Sequence, residues 1–226
     1  MRPLRRTMIS AFALTTLLFA GGACASSAAK GASAGVTTST TSTTADTVAT
    51  ADFTTYSDAA NNFSIGTPSD WSQVSLSDPK AQAAIDQLVA QNPKLAAFLG
   101  SSATLAASGI KFLAVDPSGG STVNVAVQSA PGTPDNLSDS DLEEAVPDLT
   151  QGLKSSGASV TGHQIVTVNG RKAIEIQYDL PLTNGGTAIT VHGNAYVFPT
   201  NDTVHTVSVV GTDDVVAHVM STFTIT

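Results

Sequence analysis

The chain of 226 residues is 42% hydrophobic, 12% charged and 5% aromatic, and its formal net charge is −8. This length predicts one domain with additional segments, and the apolar content is enough for a core of ordinary size. The acidic balance argues against a nucleic-acid partner, because such a surface repels phosphate, and the single cysteine excludes an intrachain disulfide.

Residues 1–23 have the pattern of a secretory signal peptide. Three arginines, Arg2, Arg5 and Arg6, precede an apolar run from Met8 to Ala20. The run is too short to span a bilayer comfortably, but it suits the apolar core of a signal. We therefore expect export from the cytoplasm and removal of these residues.

The only cysteine, Cys24, follows three small residues at the end of this run, Gly21, Gly22 and Ala23. This order resembles a bacterial lipobox, where the thiol is diacylated and the cysteine becomes the first residue of the mature protein. Gly21 departs from the leucine that is usual at its place. Ordinary cleavage after Ala23 or Ala25 is the alternative, but the position of the sole cysteine favours lipidation.

Residues 24–52 are predicted to be the lipid-anchor site followed by a disordered tether rich in Ala, Ser and Thr. The centre of the tether, Thr37 to Thr44, contains only serine and threonine. Such a composition buries too little apolar surface to offset the entropy of ordering. Gly31 to Gly35 matches the Gly-x-Ser-x-Gly pattern of hydrolases, but a nucleophile elbow needs a flanking strand and helix. We interpret that match as coincidental.

Residues 53–226 are predicted to form the folded domain. Residues 53–56 and 63–65 read as two short strands joined by a turn. The corner Gly66 to Pro68 is expected to break their pairing, because proline has no donor for a strand ladder. Trp71, the only tryptophan, is predicted to cap one edge of the core.

The next stretch is predicted to be helical. Asp78 is expected to cap its start, with Pro79 in the first turn, and apolar residues then recur at helical spacing. Pro93 is expected to split the stretch into two helices, the second running on from Lys94. Its many alanines would let a helix lie close to a sheet, or leave room for an apolar ligand.

A second helical segment begins in an acidic patch. Ser138 and Asp141 have the spacing of a capping box. The patch lacks the glycine of a calcium-binding loop, so we interpret it as the solvated start of a helix. Pro147 is expected to kink or restart this helix, which should end by Gly157.

The remaining segments alternate in the manner of antiparallel strands. The predicted strands are residues 110–115, 122–128, 165–168, 173–180, 188–198 and 204–210. Asn169-Gly170 favours a two-residue hairpin turn, and Pro199 to Asp202 is predicted to form the next turn. The last four strands should form a meander. A short helix over residues 213–220 and an apolar plug at Phe223 close the domain.

The four histidines, His163, His192, His205 and His218, are the candidates for metal or base chemistry. None has the short spacing to another that a metal-binding pair on one strand or helix would show. His192 and His205 fall on predicted neighbouring strands and could share a site, although surface or edge positions are the favoured interpretation. We assign no catalytic residue, metal ligand or cofactor.

Several core segments resemble the PsbP-like fold family. They are Phe63-Ser-Ile-Gly-Thr-Pro68 with Trp71, Arg171-Lys-Ala-Ile-Glu-Ile-Gln-Tyr178, Ala195-Tyr-Val-Phe198 and Ser221-Thr-Phe223. The resemblance covers residues 53–226 and implies an α+β fold, an antiparallel β-sheet with helices packed on its faces, shared with the Ran-binding Mog family. With the lipobox-like signal and the tether, the chain is most similar to the actinobacterial LpqN/LpqT-type lipoproteins. These motifs imply a fold and no activity.

Two hypotheses of function remain. The first is a non-enzymatic binding module, lipid-anchored on the extracytoplasmic face of a bacterial membrane, acting as an adaptor for envelope proteins or as a carrier of an apolar envelope molecule. The second is an extracytoplasmic hydrolase-like enzyme with a Ser/His site that the sequence does not identify. We favour the first, because an anchor, a tether and no catalytic set suit display. An apolar pocket between the Ala-rich helices and the sheet would support it.

Overall fold

The computed structural model describes residues 52–91, 101–135, 137–184 and 187–226. The predictions made for residues 1–51, which include Cys24 and nearly all of the tether, lie outside the described residues. The predicted helix break at Pro93 lies outside them as well.

The described residues form ten strands and four helices. In chain order these are β1 (Phe53–Asp58), β2 (Phe63–Pro68), β3 (Ser72–Ser75), α1 (Ala81–Gln91), α2 (Ser102–Ala107), β4 (Ile110–Val115), β5 (Thr122–Ser129), α3 (Asp139–Ser155), β6 (Ser159–Val168), β7 (Arg171–Asn184), β8 (Thr187–Thr200), β9 (Thr203–Val210), α4 (Asp213–Thr222) and β10 (Thr224–Ile225). No described helix is long and apolar enough to cross a membrane.

The strands form two antiparallel sheets. The larger sheet has seven strands in the order β3-β4-β5-β9-β8-β7-β6, and the smaller has three in the order β1-β2-β10. The predicted meander is confirmed, because β6, β7, β8 and β9 are successive neighbours. The predicted α+β class is confirmed too, although the separate small sheet was not anticipated.

One face of the large sheet, which we call the β2 face, is covered by the small sheet and α4. Phe63 and Ile65 of β2 and Val219 of α4 pack there against Val125 and Val207 of the large sheet. Trp71 and Phe223 belong to the same core and are 9% and 1% exposed. Their predicted core positions are therefore confirmed.

The opposite face, which we call the α3 face, is covered by the other three helices. Leu149 of α3 packs against Ile176 of β7. Ile85 of α1 and Leu105 of α2 pack against Leu113 of β4, towards the other edge of the sheet. Burial of these apolar stripes supplies the main driving force for holding each helix on the sheet.

The turn between β6 and β7 has the predicted geometry. Asn169 and Gly170 both have positive φ, 48° and 81°, as a type I′ turn requires. Val168 pairs with Arg171 directly across the turn. Asparagine and glycine tolerate this backbone region best, so these two residues fix the register of the hairpin.

Helix caps also follow the sequence. The Ser138 hydroxyl accepts the backbone N–H of Asp141, and the Asp141 carboxylate accepts the backbone N–H of Ser138, each at 3.3 Å. Helix α3 ends at Ser155, and Gly157 follows with φ 89°. The carboxylate of Asp78 accepts the N–H of Lys80 at 2.7 Å just before α1. The predicted capping box and the predicted end of α3 are confirmed, whereas α1 begins at Ala81, so Pro79 precedes this helix and does not lie in its first turn.

Pro147 does not restart α3, which is one of the two effects expected of this proline. The helix runs without a break from Asp139 to Ser155. Its buried residues are Leu142, Val146, Leu149 and Leu153, which form one stripe across the proline. The packing of this stripe outweighs the single helix hydrogen bond that proline removes.

The expectation that Gly66 to Pro68 breaks strand pairing is wrong. Strand β2 continues to Pro68, which pairs with Phe53. The N–H of Ser69 donates to the carbonyl of Asp52 at 2.8 Å, and hydrogen-bonded pairs alternate along an antiparallel ladder. Pro68 therefore occupies a non-hydrogen-bonded pair, where its missing N–H removes no bond to β1.

The predicted turn from Pro199 to Asp202 is too long. Strand β8 extends to Thr200, which pairs with Thr203 of β9. Only Asn201 and Asp202 remain as the turn, and Asp202 has φ 58°. Proline is accepted at the end of β8 because Thr200 and Thr203 form the hydrogen-bonded pair that flanks the turn, so Pro199 and Val204 form the next, non-hydrogen-bonded pair.

Candidate functional site

The β6–β7 turn brings two neighbouring cations to the surface. The Arg171 guanidinium donates to Oδ1 of Asp135 at 3.0 Å. The Lys172 ammonium lies 2.7 Å from Oδ1 of Asp139. Both carboxylates belong to the segment that opens α3, so two salt bridges join this segment to the start of β7.

A cleft of about 200 Å³ lies beside these salt bridges. We call it the turn cleft, and it is lined by Asp135, Leu137, Leu142, Gly170, Arg171, Lys172 and Pro199. Two cations and one carboxylate thus line the same cleft as the apolar residues Leu137 and Pro199. Such a combination can hold an apolar group and orient the charge attached to it.

A smaller cavity of about 40 Å³ shares Arg171 with the turn cleft. Its other lining residues come from the β6–β7 turn, from β8 and from the C-terminal segment: Val168, Asn169, Phe198, Phe223, Thr224 and Ile225. Arg171 therefore stands between the two cavities. Its side chain is 35% exposed, so part of the guanidinium remains open to solvent.

Asn169 fixes the turn against helix α4. Its side-chain amide donates to the carbonyls of Phe223 at 2.7 Å, Ser221 at 3.0 Å and Met220 at 3.3 Å. These carbonyls lie at the end of α4, where intrahelical donors run out. The same residue that gives the turn its backbone conformation also caps the last helix, so the turn beside the cleft is joined to the end of α4.

The two salt bridges at the cleft are exchangeable. Asp135 is 49% exposed, and Lys172 and Asp139 are 48% and 67% exposed. Exposed pairs of this kind contribute about 0–1 kcal/mol, because water competes with each charge. A ligand carboxylate can therefore replace Asp135 at Arg171 without a large loss of stability. A guanidinium suits this exchange, since it binds a carboxylate through two parallel hydrogen bonds.

Glu175 is a buried carboxylate on the β2 face, only 7% exposed. It accepts the Tyr196 hydroxyl at 3.1 Å and the Gln164 amide at 2.5 Å. Burial, and then the Glu175 charge, raise the pKa of the Tyr196 hydroxyl above its ordinary value. Tyr196 therefore remains protonated and donates. The three side chains satisfy one another, and we interpret the group as structural.

His192 pairs with Asp179 across β7 and β8. Its Nδ1 lies 2.6 Å from Oδ1 of Asp179, and the imidazole is 78% exposed. A serine hydrolase needs a hydroxyl hydrogen-bonded to the other ring nitrogen. No such hydroxyl bonds His192 among residues 52–91, 101–135, 137–184 and 187–226. The pair therefore supplies the base and the orienting carboxylate of a catalytic triad but no nucleophile.

The sequence hypothesis of a site shared by His192 and His205 is wrong. His205 pairs with Phe198, whereas His192 pairs with Asp179 near the other end of β8. Six positions along β8 separate the two levels, roughly 20 Å at 3.3 Å per residue. Within the described part of the chain, no group of three or more His, Cys, Asp and Glu side chains is placed to hold a metal ion.

His205 serves the fold instead. It is 2% exposed, and its Nε2 lies 2.9 Å from the carbonyl of Asn61, in the turn between β1 and β2. Burial lowers the pKa of this imidazole, against the opposing effect of the Asn61 carbonyl. The neutral ring with a proton on Nε2 therefore links β9 to the small sheet.

Comparisons with known proteins concern the fold. No family model matches the chain, and no curated protein has a matching sequence. Among solved structures, PsbP (CyanoP) from Synechocystis matches with a TM-score of 0.47 and 14% identity, over 80% of this chain and 96% of that one. The chain is similar in fold to PsbP. This agrees with the resemblance seen in the sequence.

Two further structures extend the comparison. The Ran-binding protein Mog1p of Saccharomyces cerevisiae matches with a TM-score of 0.41 and 11% identity, over 77% of this chain and 95% of its own. LpqN of Mycobacterium tuberculosis, described as involved in cell envelope biogenesis, matches with a TM-score of 0.32 and 17% identity, over 47% of this chain and 63% of its own. These similarities describe the fold alone and assign no ligand.

The turn cleft was not predicted from the sequence. Asp135 and Arg171 are 36 residues apart, and the acidic patch that contains Asp135 was interpreted only as a helix start. The one available signal was the Arg171-Lys172 pair directly after a hairpin turn, in a chain with ten basic residues. The pocket expected between the Ala-rich helices and the sheet depends partly on residues 92–100, which lie outside the described residues.

Proposed function

We propose that this chain is a non-enzymatic binding module, held at the extracytoplasmic face of a bacterial membrane by a lipid on Cys24. It acts as an adaptor for proteins of the cell envelope. The signal-like residues 1–23, the cysteine that follows them and the Ala/Ser/Thr-rich tether support the location. The turn cleft supports the binding role.

The observation that carries the proposal is that Arg171 and Lys172 line one cleft together with Leu137 and Pro199. Cavities that enclose small molecules are typically about 300–1,000 Å³. The turn cleft, at about 200 Å³, is smaller. Its size suits one side chain or the end of a polypeptide and is too small for a long acyl chain. These dimensions suit the adaptor role.

Binding proceeds by exchange of a carboxylate. A partner's acidic group takes the place of Asp135 at Arg171, and an apolar group beside it contacts Leu137 and Pro199. The ion pair that breaks contributes little to the fold. The new pair gains strength because the partner covers it from water.

The anchor is tested by the change Cys24→Ala. We expect the wild-type protein in the membrane fraction of its host and the variant in the soluble fraction, because a diacylated cysteine provides most of the affinity for the bilayer. Mass spectrometry of the N-terminal peptide should show the lipid on the wild type only. An unmodified Cys24 in the wild-type protein would contradict the anchor and leave the cleft proposal standing.

The cleft is tested by a pair of variants with opposite expected effects. Arg171→Ala should lower the yield of cross-linked envelope proteins about tenfold, because it removes the charge that holds the partner's carboxylate. Asp135→Ala should raise that yield about two- to fivefold, because it removes the internal competitor. Quantitative cross-linking on host membranes measures both.

The matched control is Lys154→Ala, which removes an exposed cation from the last turn of α3. It changes the net charge as Arg171→Ala does but lies outside the turn cleft. If Lys154→Ala and Arg171→Ala lower the yield equally, the effect comes from overall charge and the cleft has no role. Equal yields for the wild type and Asp135→Ala would refute the exchange.

A further inference from the structure

Strand β6 forms one edge of the large sheet. It runs for ten residues, Ser159–Val168, and pairs with β7. Among the described residues, nothing pairs with its outer side, since β6 is the last strand in the sheet order. The other edge strand, β3, has only four residues. The β6 edge is thus the longer open ladder of this sheet.

The turn geometry decides which backbone groups of β6 face outwards. In a two-residue hairpin, the residues that flank the turn form a hydrogen-bonded pair, here Val168 with Arg171. Bonded and non-bonded pairs then alternate along the ladder. The N–H and C=O groups of His163, Ile165 and Thr167 therefore point away from β7. They offer three donors and three acceptors at the spacing that another strand requires.

The edge lacks the usual protection against pairing. Residues 162–168 contain no Lys, Arg, Asp, Glu or Pro, the residues that commonly block an edge strand. A β-bulge between Val160 and Gly162 disturbs the far end only. From Gly162 to Val168 the register to β7 is regular. Open and regular edges of this kind accept an added strand.

The charge beside the edge indicates the occupant. Helix α3 packs over β6 and β7, and Glu143 lies 3.3 Å from His163 of β6. The helix carries five carboxylates and a single lysine. A strand added to β6 therefore runs beside an acidic helix. A basic strand is favoured there, whereas a second copy would bring two acidic helices together on the same side of a continuous sheet.

We infer that the outer edge of β6 binds an extended, lysine- or arginine-bearing segment of a partner protein by strand addition. Backbone hydrogen bonds to His163, Ile165 and Thr167 supply the register. The carboxylates of α3 select the charge of alternate side chains. This surface is separate from the turn cleft, so the inference stands whether or not the cleft binds a carboxylate.

The test uses the full-length chain in detergent and a fluorescent peptide of alternating lysine and valine, with anisotropy as the measurement. We expect saturable binding that weakens at least tenfold when lysine is replaced by glutamate in the peptide. Binding should also weaken at high salt, because an exposed charge contribution is screened. Equal affinity for the lysine and glutamate peptides would overturn the choice of a basic partner.

Thr167→Pro separates strand addition from simple charge attraction. It removes an outward N–H while leaving the bonds to β7, a position where an edge strand tolerates proline. We expect at least a tenfold loss of affinity, whereas Thr167→Ala, the matched control, should stay within about twofold. Unchanged affinity in Thr167→Pro would overturn the proposal.

Two further measurements need no altered protein. A lysine–valine peptide methylated on alternate backbone nitrogens should bind at least tenfold more weakly to the wild-type chain, because it cannot donate to the edge. Equal binding would show charge attraction alone and overturn strand addition. Sedimentation of the wild-type chain without peptide should show no dimer formed through the β6 edge. A dimer through this edge would be recognised because Thr167→Pro abolishes it. Such a dimer would make a second copy the occupant and overturn the inference.

Discussion

Replacing Gly193 by alanine should lower the free energy of unfolding by about 2–4 kcal/mol. A Cβ at this position would lie 2.7 Å from Cε2 of Tyr178 and still closer to Cζ and the hydroxyl oxygen. Carbon atoms in good contact are about 3.5–4.0 Å apart. Tyr178 is 1% exposed and packs with α3, so its ring has little room to move. Overpacking of a dense core on this scale forces strain into the surrounding structure.

Chemical denaturation with circular dichroism measures this loss, and Tyr178→Leu provides the control. Without the ring, the added methyl group meets no obstacle, so Gly193→Ala in the Tyr178→Leu background should cost less than about 1 kcal/mol. The difference between the two backgrounds is the coupling energy of the pair. If the loss is the same in both backgrounds, contact with Tyr178 is not the reason for glycine at this position.

The hydroxyl of Tyr178 makes a second contribution to stability, separate from the contact of the ring with Gly193. Among the described residues, its oxygen is the one buried side-chain nitrogen or oxygen atom without a hydrogen-bond partner. Burial raises the pKa of this phenol above its ordinary value. Tyr178→Phe should therefore stabilise the fold by about 1 kcal/mol, since it removes an unsatisfied polar group. It should not rescue Gly193→Ala, because Cζ of the ring remains too close.

Local signals in the sequence predicted the elements that depend on local chemistry. Asn169-Gly170 predicted a two-residue turn because both residues tolerate positive φ, and the structure has that turn. Ser138 and Asp141 predicted the capping box because their spacing lets each side chain reach the other's N–H. In both cases the interacting groups are within a few residues of each other.

Errors arose where tertiary packing decides the outcome. The sequence shows that Pro68 and Pro147 lack a backbone N–H donor. The consequence depends on the strand or sheet against which each proline's element packs. Pro68 falls on a non-bonded pair of the ladder, and Pro147 lies on an exposed side of a helix with a continuous buried stripe. Tertiary neighbours decide whether a strand residue falls on a hydrogen-bonded pair and which side of a helix is buried.

The histidine hypothesis failed for a reason that the sequence could have revealed. A two-residue turn at Asn201 and Asp202 places Thr200 opposite Thr203. Counting outwards from the turn then sets His205 opposite Phe198, far from His192. The predicted turn from Pro199 to Asp202 is two residues longer and sets a different register.

The turn cleft could not be predicted because its charges meet only through the fold. Asp135 precedes α3, whereas Arg171 opens β7, and the packing of α3 on the sheet brings them together. The sequence shows the two charged groups but not their contact. Asn169 links this cleft to the rest of the molecule, because its backbone makes the turn and its amide holds the end of α4.

Asn169→Asp should therefore be the most damaging change at the turn, lowering the free energy of unfolding by about 2–4 kcal/mol. Aspartate tolerates positive φ, so the turn itself survives. Its carboxylate, however, would face the carbonyls of Met220, Ser221 and Phe223, which now accept from the amide. An acceptor-only group there loses the hydrogen bonds and adds repulsion.

Asn169→Gly is the matched control, since it keeps the turn and removes only the side chain. Its expected loss is about 1–2 kcal/mol, from the unsatisfied carbonyls alone. The two variants should converge as the pH falls, because repulsion raises the pKa of the new carboxyl group in the folded state and a folded-state pKa above the unfolded one adds stability on acidification. A protonated carboxyl group can also donate one of the lost bonds. An Asn169→Gly variant as stable as the wild type would show that the Asn169 amide does not hold the end of α4. Equal stabilities of the two variants at neutral pH, or a gap that does not narrow on acidification, would show that the carbonyls do not repel the new carboxylate.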